Sequence, residues 1–242
     1  MTEAEWLTAT GPYNWPHRLF NELFCAGASG RKLRLACVAC CRLVAPFSGA
    51  PFPSLLCSIE ELADGSEAED RVSRDVESLQ SREQERRQVL FRSEGHPTLI
   101  EEVEYRAGCA ILTAGSPYRD REWHGSRKLH SYPCYVAYEI LNATDLLGQR
   151  DAAERSIICF LQDIFGPLPF RPVVISSAWR TSTVVALAAQ MYESREFGAM
   201  PILADAIQDA GCDSEDVLSH CRDAGAPHVR GCWVVDLVLG KE

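Results

Sequence analysis

Residues 201–242 read PILADAIQDAGCDSEDVLSHCRDAGAPHVRGCWVVDLVLGKE, and this stretch decides the fold class. It is a series of short helical segments divided by glycine and proline. Pro201 suits the first turn of a helix over 199–210, where its missing N–H leaves no bond unmade. Gly211 suits the residue just past that helix, where a left-handed backbone is needed. Asp213 is placed to cap the next helix. Glu215 and Asp216 in its first turn complement the positive end of the helix dipole. A last helix over about 227–239, carrying Trp233, Val234, Leu237 and Val238 as core residues, ends at Gly240.

Upstream the same grammar repeats. FGPLPFRPVVISSAWRTST (165–183) holds three prolines that force an extended path, and VVIS is either a short strand or extended chain. Thr181 or Ser182 then caps a helix over 183–194. CYVAYEILNATDLLG and DAAERSIICFLQDIFG read as two helices whose short connection at 148–151 predicts an antiparallel pair. Further helices are expected at 17–25, 31–45 (capped by Ser29), 54–65 and 98–114. Residues 66–93 are highly charged, with only a thin stripe of Val72, Val76, Leu79, Val89 and Leu90, so they predict a surface helix. No strand alternation is long enough for a sheet. The expectation is an all-α, multi-helix bundle-like domain with a short extended Pro-rich segment. Residues 1–165, including helix 66–93 and a loop at 115–133, form an N-terminal helical region. Residues 166–242 form a C-terminal one; the two either pack as one domain or form two lobes with the Pro-rich 166–173 as the joint.

Composition narrows the function. The formal net charge of −10 argues against general nucleic-acid binding, which needs cations to neutralise phosphates. No apolar run approaches the roughly 18 residues of a membrane span. MTEAEWLTATG lacks the basic, apolar and cleavage regions of a secretory signal, so a cytoplasmic location is expected. Eleven cysteines is an odd count, which disfavours a disulfide framework and leaves the thiols free, metal-bound or catalytic.

Two cysteine clusters carry the possible chemistry. Cys37 and Cys41 are four apart on one predicted helix, and His228 and Cys232 are four apart on another. Residues at that spacing share a helix face. Two such pairs on facing helices would form a Cys₃His tetrahedron for a structural zinc ion, with Cys40, His220 and Cys221 in reserve. The competing reading is that Cys37, Cys41 and Cys232 simply fill helix contacts, as buried free cysteines commonly do. A thiol nucleophile is the other chemical option. His220 and Cys221 are adjacent but point about 100° apart on a helix. Cys134, with His124 or His130 of the preceding loop as base, is the alternative pair. Arg222, Arg230 and Asp236 are expected to form a buried ion network around the last helix. There is no P-loop, dinucleotide-binding, HExxH or GxSxG motif.

LQDIFGPLPFRPV, AWRTSTVVALAAQMYESREFGAMPILADAIQDAGC and DVLSHCRDAGAPHVRGCWVVDLVLGKE resemble a family of uncharacterised paralogous proteins found in planctomycete bacteria. MTEAEWLTAT and RKLRLACVACCRL are similar to the same family. The resemblance implies helical domains, sometimes joined to other modules, and transfers no catalytic residues. PILADAIQDAGC also resembles the YADWLEE-type segment of a short repeat-companion domain, without its Tyr and Trp.

The expected function is a non-enzymatic interaction or regulatory helical module with a protein partner, stabilised by zinc. The alternative is a metal- or cysteine-dependent enzyme with its site near loop 119–134.

Overall fold

The computed structural model describes residues 1–9, 18–20, 22–23, 26–47, 52–65, 68–92, 97–115, 132–223 and 225–241. Among them every regular element is helical, so the chain is all-α. The elements are α1 (Glu3–Leu7), α2 (Gly30–Cys41), α3 (Phe52–Asp64), α4 (Glu69–Arg92), α5 (Leu99–Gly115), α6 (Tyr132–Leu146), α7 (Arg150–Phe165), α8 (Ser182–Ser194), α9 (Met200–Asp209), α10 (Glu215–Arg222) and α11 (Trp233–Leu239). Short 3₁₀ turns lie at Ala45–Phe47 and Ser177–Trp179. Residues 172–176 form neither helix nor strand, which settles VVIS as extended chain. No described helix is long and apolar enough to cross a membrane.

The chain divides into two compact units. One comprises Thr10–Ile158; the other comprises Met1–Ala9 with Cys159–Glu242, so the division passes through α7. The C-terminal unit is therefore discontinuous in sequence.

In the first unit, α2 starts where Ser29 Oγ accepts from the Lys32 N–H at 3.3 Å. Both ends of α2 make ion pairs with the C-terminal part of α3: Arg31 with Asp64 at 2.8 Å and Arg42 with Glu60 at 2.7 Å. Cys37, Cys40 and Cys41 are fully buried on α2. Burial pushes their thiols up, Cys40 to about 12. Such thiols are inert at neutral pH.

The charged helix α4 packs on α5 through the expected stripe. Val72, Val76 and Leu79 are buried while their neighbours are exposed. Glu83 continues the stripe one turn on and is only 4% exposed. Its carboxyl lies where a Cβ on Gly108 of α5 would sit, 2.5 Å away. That glycine lets the two helices approach at this level.

In the C-terminal unit, α8 packs on α9 and α11, and α10 packs on α9 and α11. Val184, Ala188, Met191 and Tyr192 of α8 meet Leu203, Ile207, Val217, Trp233 and Val234 in one core. Thr181 Oγ1 caps α8 by accepting from the Val184 N–H at 3.3 Å. Ser214 stands at the N-cap position of α10, one residue after the expected Asp213.

The last helix departs most from expectation. It spans Trp233–Leu239 rather than 227–239, and Cys232 is its N-cap. Gly231 adopts φ +98°, a conformation that interrupts any helix continuing back to Pro227. His228 and Cys232 are thus not on one helical face. Of the expected buried network, Arg230 and Asp236 are buried and Arg222 is not. Arg222 turns outward to Asp205 at 2.8 Å, while Arg230 is buried with its guanidinium 4.3 Å over the Tyr192 ring.

Candidate metal centre

Four side chains from four segments of the C-terminal unit converge below Trp233. Asp163 comes from the last turn of α7, His220 from α10, His228 from the loop after it, and Cys232 from the N-cap of α11. One donor atom from each lies within 4.8 Å of all the others. Asp163 and Cys232 are almost fully buried, His228 nearly so, and His220 keeps a small exposed edge.

Asp163 organises the group. Its Oδ1 stands 2.7 Å from His228 Nδ1 and 3.2 Å from His220 Nε2. Its Oδ2 accepts from the Val229 N–H at 2.8 Å, which fixes the carboxylate plane. Burial alone would push this carboxyl up. Hydrogen bonds from His220 and His228 outweigh that and hold it below the ordinary carboxylate range. Cys232 Sγ is 3.2 Å from the same His220 Nε2. Burial pushes the Cys232 thiol well above its ordinary value, and the Asp163 charge pushes it further. The His220 ring is wedged edge-on to His228, with centroids 5.0 Å apart, and lies 5.2 Å from Trp233. His228 Nε2 is buried without a hydrogen-bond partner among the described residues, so the bond to Asp163 and the packing of His220 orient that ring.

A cysteine, a histidine and an aspartate in contact invite comparison with a nucleophile triad. The geometry opposes it. In a triad the base takes the thiol proton with one ring nitrogen and is oriented through the other. Here Asp163 and Cys232 face the same nitrogen of His220. The thiol is also 0% exposed and disfavoured as a thiolate, so it is neither reachable nor activated.

Convergence on one point suits a cation. Carboxylate oxygen, two imidazole nitrogens and a thiolate are all accepted zinc donors. With bonds of about 2.0–2.3 Å, a tetrahedral ion has donor–donor edges of roughly 3.3–3.7 Å. The observed spacings, from 2.7 Å to under 4.8 Å, bracket that range. A bound cation would also deprotonate the coordinating thiol and remove the cost of its burial.

His228 and Cys232 of the sequence-derived set are members of this group; Cys37 and Cys41 are not, and lie in the other unit. His220 was in reserve. Asp163 escaped sequence reading, although a signal existed. A carboxylate in the last turn of a helix opposes the helix dipole, so its presence there needs a partner to explain it. Cys221, adjacent to His220, is buried in the core, and burial raises it to about 12. Loop residues His124 and His130 lie outside the described residues, and Cys134 is half-buried at the start of α6.

Comparison with protein-family models, with curated proteins and with solved structures gave no match.

Proposed function

We propose that this chain is a non-enzymatic interaction or regulatory module of helices, whose C-terminal unit is held by a structural zinc ion on Asp163, His220, His228 and Cys232. The observation that carries the reading is the convergence of four donors, from four separate segments, onto one buried point. Four protein ligands fill a tetrahedron, and a filled tetrahedron is the structural kind of zinc site; a catalytic ion keeps one position for water or substrate. The segments it would join are short: α10 and α11 have 8 and 7 residues. Helices of that length have little stability of their own and depend on tertiary ties.

The described cysteines form no disulfide, which fits a reducing compartment, so the proposal places the protein in a cytoplasm, acting on a protein partner. The resemblance to the planctomycete paralogous family is part of the same proposal and agrees with a helical module.

The test is metal content by elemental mass spectrometry on protein purified without a metal-affinity tag. One zinc per chain, lost in Asp163→Ala and Cys232→Ser but kept in Cys37→Ala and Cys41→Ala, is expected. Protein that neither carries zinc nor takes it up on titration would end the reading.

A further inference from the structure

We infer that residues 1–9 act as a latch coupled to the metal group, so that an ion on Asp163, His220, His228 and Cys232 tightens the hold of the C-terminal unit on the N-terminal helix. This rests on the metal reading above and adds its regulation.

The latch is built from a few contacts. Trp6 of α1 is fully buried. Its Nε1–H donates to the Gly166 carbonyl at 2.8 Å, and its ring lies 6.1 Å from that of Phe170. Gln162 Nε2 donates to the Trp6 carbonyl at 2.8 Å. The Arg171 guanidinium bridges Glu3 at 2.8 Å and Asp216 at 2.7 Å. α1 itself is preorganised by a reciprocal cap between Thr2 and Glu5.

The ties through Gln162 and Gly166 are rooted beside a ligand of the metal group, and Arg171 carries a third across to α10. Gln162 immediately precedes Asp163, and Gly166 follows it by less than one turn. Asp216 lies one turn before His220 on the same face of α10. Trp233, which follows Cys232, presses its ring against Gly166, 2.6 Å from where a Cβ would stand. The surface that receives α1 therefore runs from the end of α7 through Phe170 and Arg171, and Arg171 joins it to α10, the segment an ion would clamp to α7. Residues 10–158 belong to the other unit, so sequence proximity does nothing to keep α1 in place. Its docking depends on how well Gly166 and Asp216 are held in register. An ion that fixes Asp163 against His220 fixes that register, and linkage makes the effect reciprocal: docked α1 strengthens ion binding.

The experiment is hydrogen exchange of residues 2–9 in the full chain, followed by mass spectrometry, after chelation and again with zinc chloride. Zinc is expected to slow exchange of this segment by at least about fivefold. Reciprocally, Trp6→Ala should weaken zinc binding by a similar factor. Arg171→Gln, which spares the core, provides the same reading should Trp6→Ala fail to fold. Zinc binding with unchanged exchange at 2–9, or variants that bind zinc like wild type, would overturn the latch and leave the metal site standing. Failure to bind zinc at all would overturn the metal site and the latch together.

Discussion

Gly166 holds φ +48°, a left-handed conformation that L side chains rarely adopt, with the Trp233 ring where its Cβ would go. Gly166→Ala must meet both the backbone strain and the overlap. A loss of about 3 kcal/mol is expected, measured by urea denaturation of the C-terminal unit. Glu83 makes the opposite case. Burial raises its carboxyl above the usual glutamate value, with Glu104 adding to the rise and Arg86 and Arg82 opposing it. Neither of its oxygens has a hydrogen bond among the described residues, and Arg86 Nη1 stands 3.5 Å from one of them. A carboxyl raised in the folded state favours folding only while protonated. Its contribution is complete below about pH 4.5 and is lost as pH rises through the folded-state value. Glu83→Met, which extends the apolar stripe of α4, should gain on the order of 1 kcal/mol at pH 7, and the gain should shrink toward pH 4. Thermal melts at the two pH values decide it; an equal gain at both would show that ionisation is not the cause. These two residues also mark a limit of legibility. Nothing adjacent in sequence reveals that Gly166 faces Trp233 or that Glu83 faces Gly108.

At the scale of elements, periodicity and caps did most of the work. Ser29 and Thr181 cap α2 and α8 as read from sequence. Thr181→Ala should cost about 1 kcal/mol in a denaturant titration, since one N-terminal N–H loses its acceptor. The stripe of α4 was legible because Val72, Val76 and Leu79 recur at helical spacing among charges. The last helix was overextended because its hydrophobic pattern runs smoothly from Val229 to Leu239 while the backbone turns at Gly231. That turn matters chemically. It takes His228 off the helix face shared with Cys232 and lets His228 reach Asp163 while Cys232 reaches His220. A helix through 227–239 would have offered a two-ligand face needing a distant partner pair; the turn gathers its partners from α7 and α10 instead.

At the scale of the whole molecule, the metal reading predicts unit-selective stability. Zinc at a hundredfold excess over its Kd should stabilise the C-terminal unit by about 2.7 kcal/mol, and chelation should remove that increment. The first unit, which holds Cys37 and Cys41, should melt at the same temperature with or without zinc; exchange rates resolved by peptide provide the check. Sequence by itself determined the helical class, most helix positions and caps, and the candidacy of His228 and Cys232. These are local properties, written in spacing, in glycine and proline, and in the chemistry of single side chains. Only the tertiary structure decided that Asp163 and His220 complete the group, that Cys37 and Cys41 belong to another unit, and that residues 1–9 join residues 159–242. Those facts depend on which segments approach one another through space, and the hydrophobic pattern that buries a helix face leaves its partner unspecified.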